Sequence, residues 1–290
     1  MLKKRIVATL IIKDRRVVQS IGFNKYLPVG RADISAEFLN KWGIDEIVLL
    51  DIDATAQDKK PDIDLITQVS KKSLAPLTVG GGIKSVGEIR KLIRYGADKV
   101  SINKEAIKNP NIIREASKIF GSQCIVVSID VKKIKGGYEV YSDSGRVPTG
   151  LNPIEWAKEV ERLGAGEILL NSIDKDGLKS GYDIKIIKEI TGAVSIPVIA
   201  LGGAGHPKHF LEVLEEGDAM AAAAGNFFHF TEHSPITVKA YLFKKNIDVR
   251  IDTYADYEGT SFIEGSGRIK KRPEDYLNKL RFEYISDEII

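Results

Sequence analysis

The sequence predicts a (β/α)8 TIM barrel built of two half-barrel repeats, with a short C-terminal helical extension. Three observations carry this. First, landmarks recur at a fixed offset. Gly203 follows Gly82 by 121 residues and Gly217 follows Gly96 by the same number, while Gly43 with Gly164 and Glu46 with Glu167 keep that spacing. Nearer the start of each half the offset is 119, where the run Ile6 to Ile11 matches Ile125 to Asp130. Second, each copy alternates short Val- and Ile-rich runs with longer amphipathic segments. Runs apolar on both faces are buried parallel strands, and strand–helix–strand repeats make right-handed βα crossovers. Third, four units per half give eight in about 250 residues, the size of this barrel. A doubly wound open sheet also alternates strand and helix, but it does not require two equal halves.

In chain order, strand one is Arg5 to Ile12. The polar stretch Lys13 to Arg31, with Gly22, Pro28 and Gly30, is too long for a simple βα turn and reads as a mobile lid on the catalytic face. Helix one is Ser35 to Trp42, strand two Glu46 to Asp51 and helix two Ile63 to Lys72. Strand three ends in Thr78-Val79-Gly80-Gly81-Gly82-Ile83, and strand four is Lys99 to Ile102. The second half opens with strand five, Cys124 to Val131, and a hairpin-like insert carrying Gly136-Gly137 and Ser144-Gly145. Helix five, Pro153 to Leu163, precedes strand six, Glu167 to Asn171; strands seven and eight are Ile196 to Leu201 and Ala219 to Ala223. A last helix ends near Lys244. The barrel domain is therefore 1–248. Residues 249–290 form the extension, a linker to about Gly267 and then a short helix opened by Pro273-Glu274-Asp275, with Tyr276, Leu280 and Tyr284 on one face.

Of the 290 residues, 43% are hydrophobic and 29% charged, which is enough for a large core. A net charge of +3 over this length leaves no nucleic-acid footprint. The single cysteine, Cys124, excludes a disulfide framework and fits a reducing compartment; at the start of an apolar strand it reads as a core thiol rather than a nucleophile. The run after Met1-Leu2-Lys3-Lys4-Arg5 imitates a signal peptide, but it ends in Lys13-Asp14-Arg15-Arg16 without a small-residue cleavage site. No stretch has the length of a membrane span, so a soluble cytoplasmic protein is expected.

Glycine at the C-terminal end of a strand lets backbone amides approach a ligand, and a following helix N-terminus completes an anion site. Gly81 and Gly82 with Asn103 make one such cradle; Gly177, Gly203, Ala224 and Gly225 make its counterpart. Two cradles in matching register suit a ligand with phosphates at both ends. Neither a dinucleotide fingerprint nor a P-loop is present, since Ser85 stands where a third glycine would be needed. At the opposite strand ends, Arg5, Glu46, Lys99 and Glu167 set two bases and two acids around the N-terminal face, as a plug or as charges kept for stability. His206, His209, His229 and His233 lie at no metal-ligand spacing and read as solvated or capping residues; no metal or other cofactor is expected.

The stretches Gly43-Ile44-Asp45-Glu46, Thr78 to Ile83, Gly96 to Asn103, Phe120-Gly121-Ser122-Gln123, Gly164 to Leu170, Asp176-Gly177 with Ser180-Gly181-Tyr182-Asp183, and Gly202-Gly203-Ala204-Gly205 carry a family resemblance. Over about Met1 to Val249 the chain resembles the cyclase subunit of imidazole glycerol phosphate synthase. That resemblance implies a phosphorylated ligand and a glutaminase subunit docked on the N-terminal face, whose ammonia crosses the barrel interior. It makes Arg5, Glu46, Lys99 and Glu167 the ammonia gate and turns Asp98 toward the glutaminase. It gives Asp130 as one of two catalytic aspartates. The chain departs from the pattern at four positions: Ile11 replaces the other aspartate, Gln19 a lysine, Arg15 a glycine and Asn171 a threonine. The 41 residues from Arg250 onward lie beyond the family's usual length. Intact gate residues with one aspartate missing look like the branch that supplies ammonia for amidination of N-acetyl sugars of surface polysaccharide, with a separate sugar amidotransferase. The alternatives are a true cyclase of histidine biosynthesis, with Asp14 or Asp51 substituting for the missing acid, and a non-catalytic scaffold barrel.

Overall fold

The computed structural model describes residues 3–229, 233–251, 257 and 260–270. Eight parallel strands form a closed ring: β1 (Arg5–Lys13), β2 (Glu46–Asp51), β3 (Leu77–Gly80), β4 (Lys99–Ile102), β5 (Ile125–Ile134), β6 (Glu167–Ser172), β7 (Val198–Leu201) and β8 (Ala221–Ala224). Neighbours pair in chain order, β8 pairs with β1, and no edge is left open. Closure makes every strand bury both faces, which is why the strands read as continuous apolar runs.

Two separate cores follow. The larger lies between the strands and the helices around them. The smaller is the barrel interior, formed by Val7, Val48, Val126, Leu169, Ile199, Leu201, Ala221 and Ala223. Side chains alternate along each strand with period two. On β1 the inward set is therefore Arg5, Val7, Thr9 and Ile11; on β5 it is Val126, Ser128 and Asp130.

The pairing registers confirm the duplication and refine it. Ile11 pairs with Leu50 across β1–β2, and Asp130 pairs with Asn171 across β5–β6. Ile11 and Asp130 are thus equivalent at the 119 offset, and Leu50 and Asn171 at 121. In the fourth strand the offset becomes 122, because β4 and β8 span Lys99–Ile102 and Ala221–Ala224. Strand eight accordingly starts two residues later than the sequence alone suggests.

The stretch Lys13 to Arg31 is a strand pair rather than a loop. β1 runs on into an antiparallel hairpin of Arg16–Ile21 and Lys25–Gly30, which satisfies its backbone groups above the barrel rim. β5 does the same with Gly137–Ser142. Helix one begins at Ala32, directly after this hairpin, rather than at Ser35. The turn joining β1 to its hairpin holds Asp14 and Arg15 at φ 48° and 59°. Asp tolerates the left-handed region but Arg does not. Arg15 is offset only by an exposed ion pair to Asp62, which contributes little. Arg15→Gly is therefore expected to raise stability by about 1 kcal/mol, read as a higher urea midpoint at unchanged slope.

Cys124 is half-buried in a short 3-10 turn before β5, packed against the outer core. The composition-based linker beyond residue 248 is partly packed chain: residues 260–270 fold against the last two barrel helices. The helix expected from Pro273 onward lies outside the described residues. Among the described residues, no helix is long and apolar enough to cross a membrane.

Candidate functional site

The strands divide the chemistry between two mouths. At the N-terminal mouth four charges close a cycle. Arg5 Nη1 meets Glu46 Oε2 at 2.6 Å, and its Nη2 meets Glu167 Oε1 at 3.0 Å. Lys99 Nζ bridges the same two carboxylates at 3.0 Å each. Thr78 Oγ1 donates to the remaining Glu46 oxygen at 2.8 Å. These side chains are inward because each opens its strand in the same parity. Two cations and two anions in a cycle leave no net charge, so each charge loses water but keeps partners. Beside this ring Asp98 is exposed, its Oδ2 accepting from Leu77 N at 2.8 Å. Above the ring the barrel interior is packed with the apolar set, with Thr9, Ser101 and Ser128 as buried polar residues among it.

At the C-terminal mouth a cavity of about 290 Å³ opens. It is lined by Asp130 and by every residue expected in the two cradles: Gly81, Gly82, Asn103, Gly177, Gly203, Ala224 and Gly225. Part of the glycine signal has a packing cause. Gly203 sits at φ 105°, and a Cβ there would come within 2.1 Å of Gly181 O. Gly82, at φ 69°, would meet Lys59 O at 2.4 Å. Side chains are excluded here by neighbouring backbone as well as by any ligand. Helices begin after each turn, at Val86 after Gly82 and at Pro207 after Gly203. Lys84, Lys104 and Lys108 stand on the first-half side of the cavity together with Asp51, Asp58 and Glu105, Lys84 being paired with Asp58 and Lys104 with Asp143.

The cavity floor is split. β4, β5 and β6 supply Ser101, Ser128, Asp130 and Asn171; β7, β1 and β2 supply Leu201, Ile11 and Leu50. The side of Asp130 is polar, and the facing side joins apolar Leu201, Ile11 and Leu50 to Thr9 of β1 and Asp51 of β2. Asp130 is buried, and Asn103 Nδ2 donates to its Oδ2 at 3.2 Å and to Ser128 O at 2.9 Å. Burial pushes the Asp130 carboxyl up to about 7, the nearby Asp176 charge adding to it and hydrogen bonds from Asn171 and Asn103 opposing. Such a group can hold or release a proton near neutral pH. Ile11 can do neither.

Sequence reasoning missed the parts that fix the hairpin over the cavity. Ser20 Oγ donates to Asp176 Oδ2 at 2.6 Å, and Phe23 N donates to the same atom at 3.1 Å. Asn226 grips Ser20 through both backbone groups, at 3.2 and 2.7 Å. The hairpin of the first half is thus tied to loops of the second. Burial raises Asp176, and these same hydrogen bonds oppose the rise. The only sequence signal was an acid next to Gly177. Of the histidines, His209 is buried rather than solvated and accepts from Gly205 N at 3.1 Å; burial lowers it to about 4. Among the described residues, no group of three or more His, Cys, Asp or Glu could hold a metal ion.

Residues 5–234 match the family described as histidine biosynthesis protein. Over 253 residues the chain is 49% identical to the imidazole glycerol phosphate synthase subunit HisF of Clostridium botulinum (strain Kyoto / Type A2), covering 87% of this chain and 100% of the relative. The subunit of the same name from Hydrogenobaculum sp. (strain Y04AAS1) is 50% identical over 252 residues, with the same coverage. A Vibrio vulnificus (strain YJ016) relative, provisionally named imidazole glycerol phosphate synthase subunit hisF2, is 44% identical over 259 residues, 89% of this chain and 95% of its own.

Proposed function

The chain belongs to the histidine biosynthesis protein family, and on that premise we propose that it is a synthase subunit carrying ammonia from a glutaminase, docked at the N-terminal face, to a phosphorylated acceptor at the C-terminal face. One observation carries this reading: a closed ring of four charges and a two-ended, glycine-rimmed cavity stand at opposite ends of one largely apolar barrel interior. An ion entering that passage would lose its hydration without gaining partners, so neutral ammonia passes where ammonium does not. Gly81, Gly82 and Asn103 hold one phosphate, and Gly177, Gly203, Ala224 and Gly225 the other. Asp130, poised near neutrality, moves the proton when nitrogen attacks the acceptor between them. Asp98, exposed beside the ring, faces the glutaminase.

The relatives' names favour imidazole ring formation as the reaction. A second reading rests on Ile11. With Ile11 facing Asp130, the carboxylate expected at that position is absent, while Asp51 and Asp176 also line the cavity. The apolar residues Ile11, Leu50 and Leu201 suit release of ammonia to a different acceptor, the N-acetyl group of a sugar, which a separate amidotransferase converts into an amidino group.

Co-expression with a cysteine-nucleophile glutaminase from the same genome tests the partner. A 1:1 complex with faster glutamine turnover than the glutaminase alone is expected. Separate elution and unchanged turnover would refute it.

A further inference from the structure

The helices that follow the two glycine turns begin differently. In the first half Ser85 Oγ accepts from Glu88 N at 3.3 Å, and Glu88 Oε2 accepts from Lys84 N at 2.7 Å. This reciprocal cap is local. At the equivalent position 121 residues on stands His206, and helix Pro207–Glu215 has no side-chain cap. Pro207 has no N–H to satisfy. The next donor, Lys208 N, is met by Ser266 O at 3.0 Å, from 58 residues downstream. Beside it Arg268 Nη2 donates to Gly205 O at 3.3 Å. Since Gly205 N already donates to His209, both backbone groups of this loop glycine are held.

The segment that makes these bonds is itself built to stay. Ile263 N donates to Arg268 O and Lys270 N to Ser261 O, each at 2.8 Å, around a Phe262–Ile269 bridge. Phe262 packs edge-on against Tyr241, with centroids 5.4 Å apart. Gly267 lies so close to that Tyr241 ring that a Cβ would approach it to 2.7 Å.

We propose that residues 260–270 form a strap that positions the second phosphate cradle, with Arg268 as a positioning residue and the Ser266 carbonyl as the helix cap that His206 does not supply. The ligand class is a phosphate monoester end group, and in this the inference rests on the phosphate reading of Gly203 given above. An uncapped first turn frays, and a fraying turn cannot hold amides at fixed distances from phosphate oxygens. The first cradle, capped by Ser85, needs no strap and serves as an internal control.

The test is amide NMR on the full chain titrated with inorganic phosphate, following Gly203 and Gly82 separately and measuring Lys208 amide exchange without phosphate. Gly267→Val with Arg268→Ala should lift the strap by a clash with Tyr241. Affinity at Gly203 should fall about tenfold and Lys208 exchange should rise about as much, with Gly82 unchanged. Adding His206→Ser should restore both by rebuilding a local cap. Unchanged Gly203 affinity and Lys208 exchange, or equal weakening at both cradles, would overturn the strap. If Gly203 of the unaltered chain ignores phosphate, the phosphate reading falls, and Lys208 exchange with its His206→Ser rescue still decides the strap.

Discussion

Replacing Asp130 by asparagine is expected to lower turnover of the acceptor by about 10²- to 10⁴-fold, the range for a positioned general acid or base. The near-neutral limb of the pH–rate profile should vanish with it. Stability should move the other way. The folded-state value near 7 is raised above the ordinary carboxylate value, chiefly by burial. The contribution of the protonated carboxyl is therefore fully present below about pH 4 and lost as pH rises through about 7. Asparagine stays neutral throughout. The variant should match the unaltered protein near pH 4 and exceed it at pH 8, by at most about 4 kcal/mol for a three-unit rise. Urea unfolding at the two pH values checks the sign. Lower stability at pH 8 would mean that the carboxylate is held by its amide partners more strongly than burial opposes it.

Lys99→Ala is expected to separate glutamine hydrolysis from nitrogen use. Lys99 bridges Glu46 and Glu167, and its loss leaves Arg5 as the one cation of the ring. Removing one partner from a buried charge set costs about 3 kcal/mol, so some thermal stability should go too. With the ring open, ammonia escapes and the passage admits water. Product formed per glutamine hydrolysed should fall about 10²-fold, the scale of a misplaced delivery. Turnover with free ammonium should persist, because ammonium in bulk reaches the cavity from its own open mouth. Equal loss with glutamine and ammonium would place Lys99 in structure alone.

The barrel was legible because duplication and period-two burial are both sequence-visible. Gly82 with Gly203 and Glu46 with Glu167 marked the repeat, and strand parity then sent Arg5, Glu46, Lys99 and Glu167 inward together. The cradle glycines were legible for a mixed reason, since Gly82 and Gly203 are also required by backbone contacts unrelated to any ligand. What stayed hidden depends on contacts distant in sequence. The clip from Asp176 and Asn226 to Ser20 joins residues more than 150 positions apart, and no local pattern encodes it. The hairpin at Lys13 to Arg31 was missed because Gly22, Pro28 and Gly30 mimic a loop. The docking of residues 260–270 was missed because a polar, glycine-containing composition says nothing about the backbone bonds it makes. Ile11 was visible as a departure, but only the register set Leu50 beside it at the cavity.

Growth of a histidine auxotroph that lacks its own cyclase subunit, supplied with this chain and its glutaminase partner, tests the consequence of Ile11 most directly. Ring closure needs protons moved at two places, and each missing group costs about 3–5 kcal/mol of barrier. On the second reading the unaltered chain should therefore fail to restore growth, and Ile11→Asp, which rebuilds a carboxylate opposite Asp130, should restore it. Growth supported by the unaltered sequence would contradict that reading and leave imidazole ring formation, with Asp51 as a second carboxylate of the cavity beside Asp130.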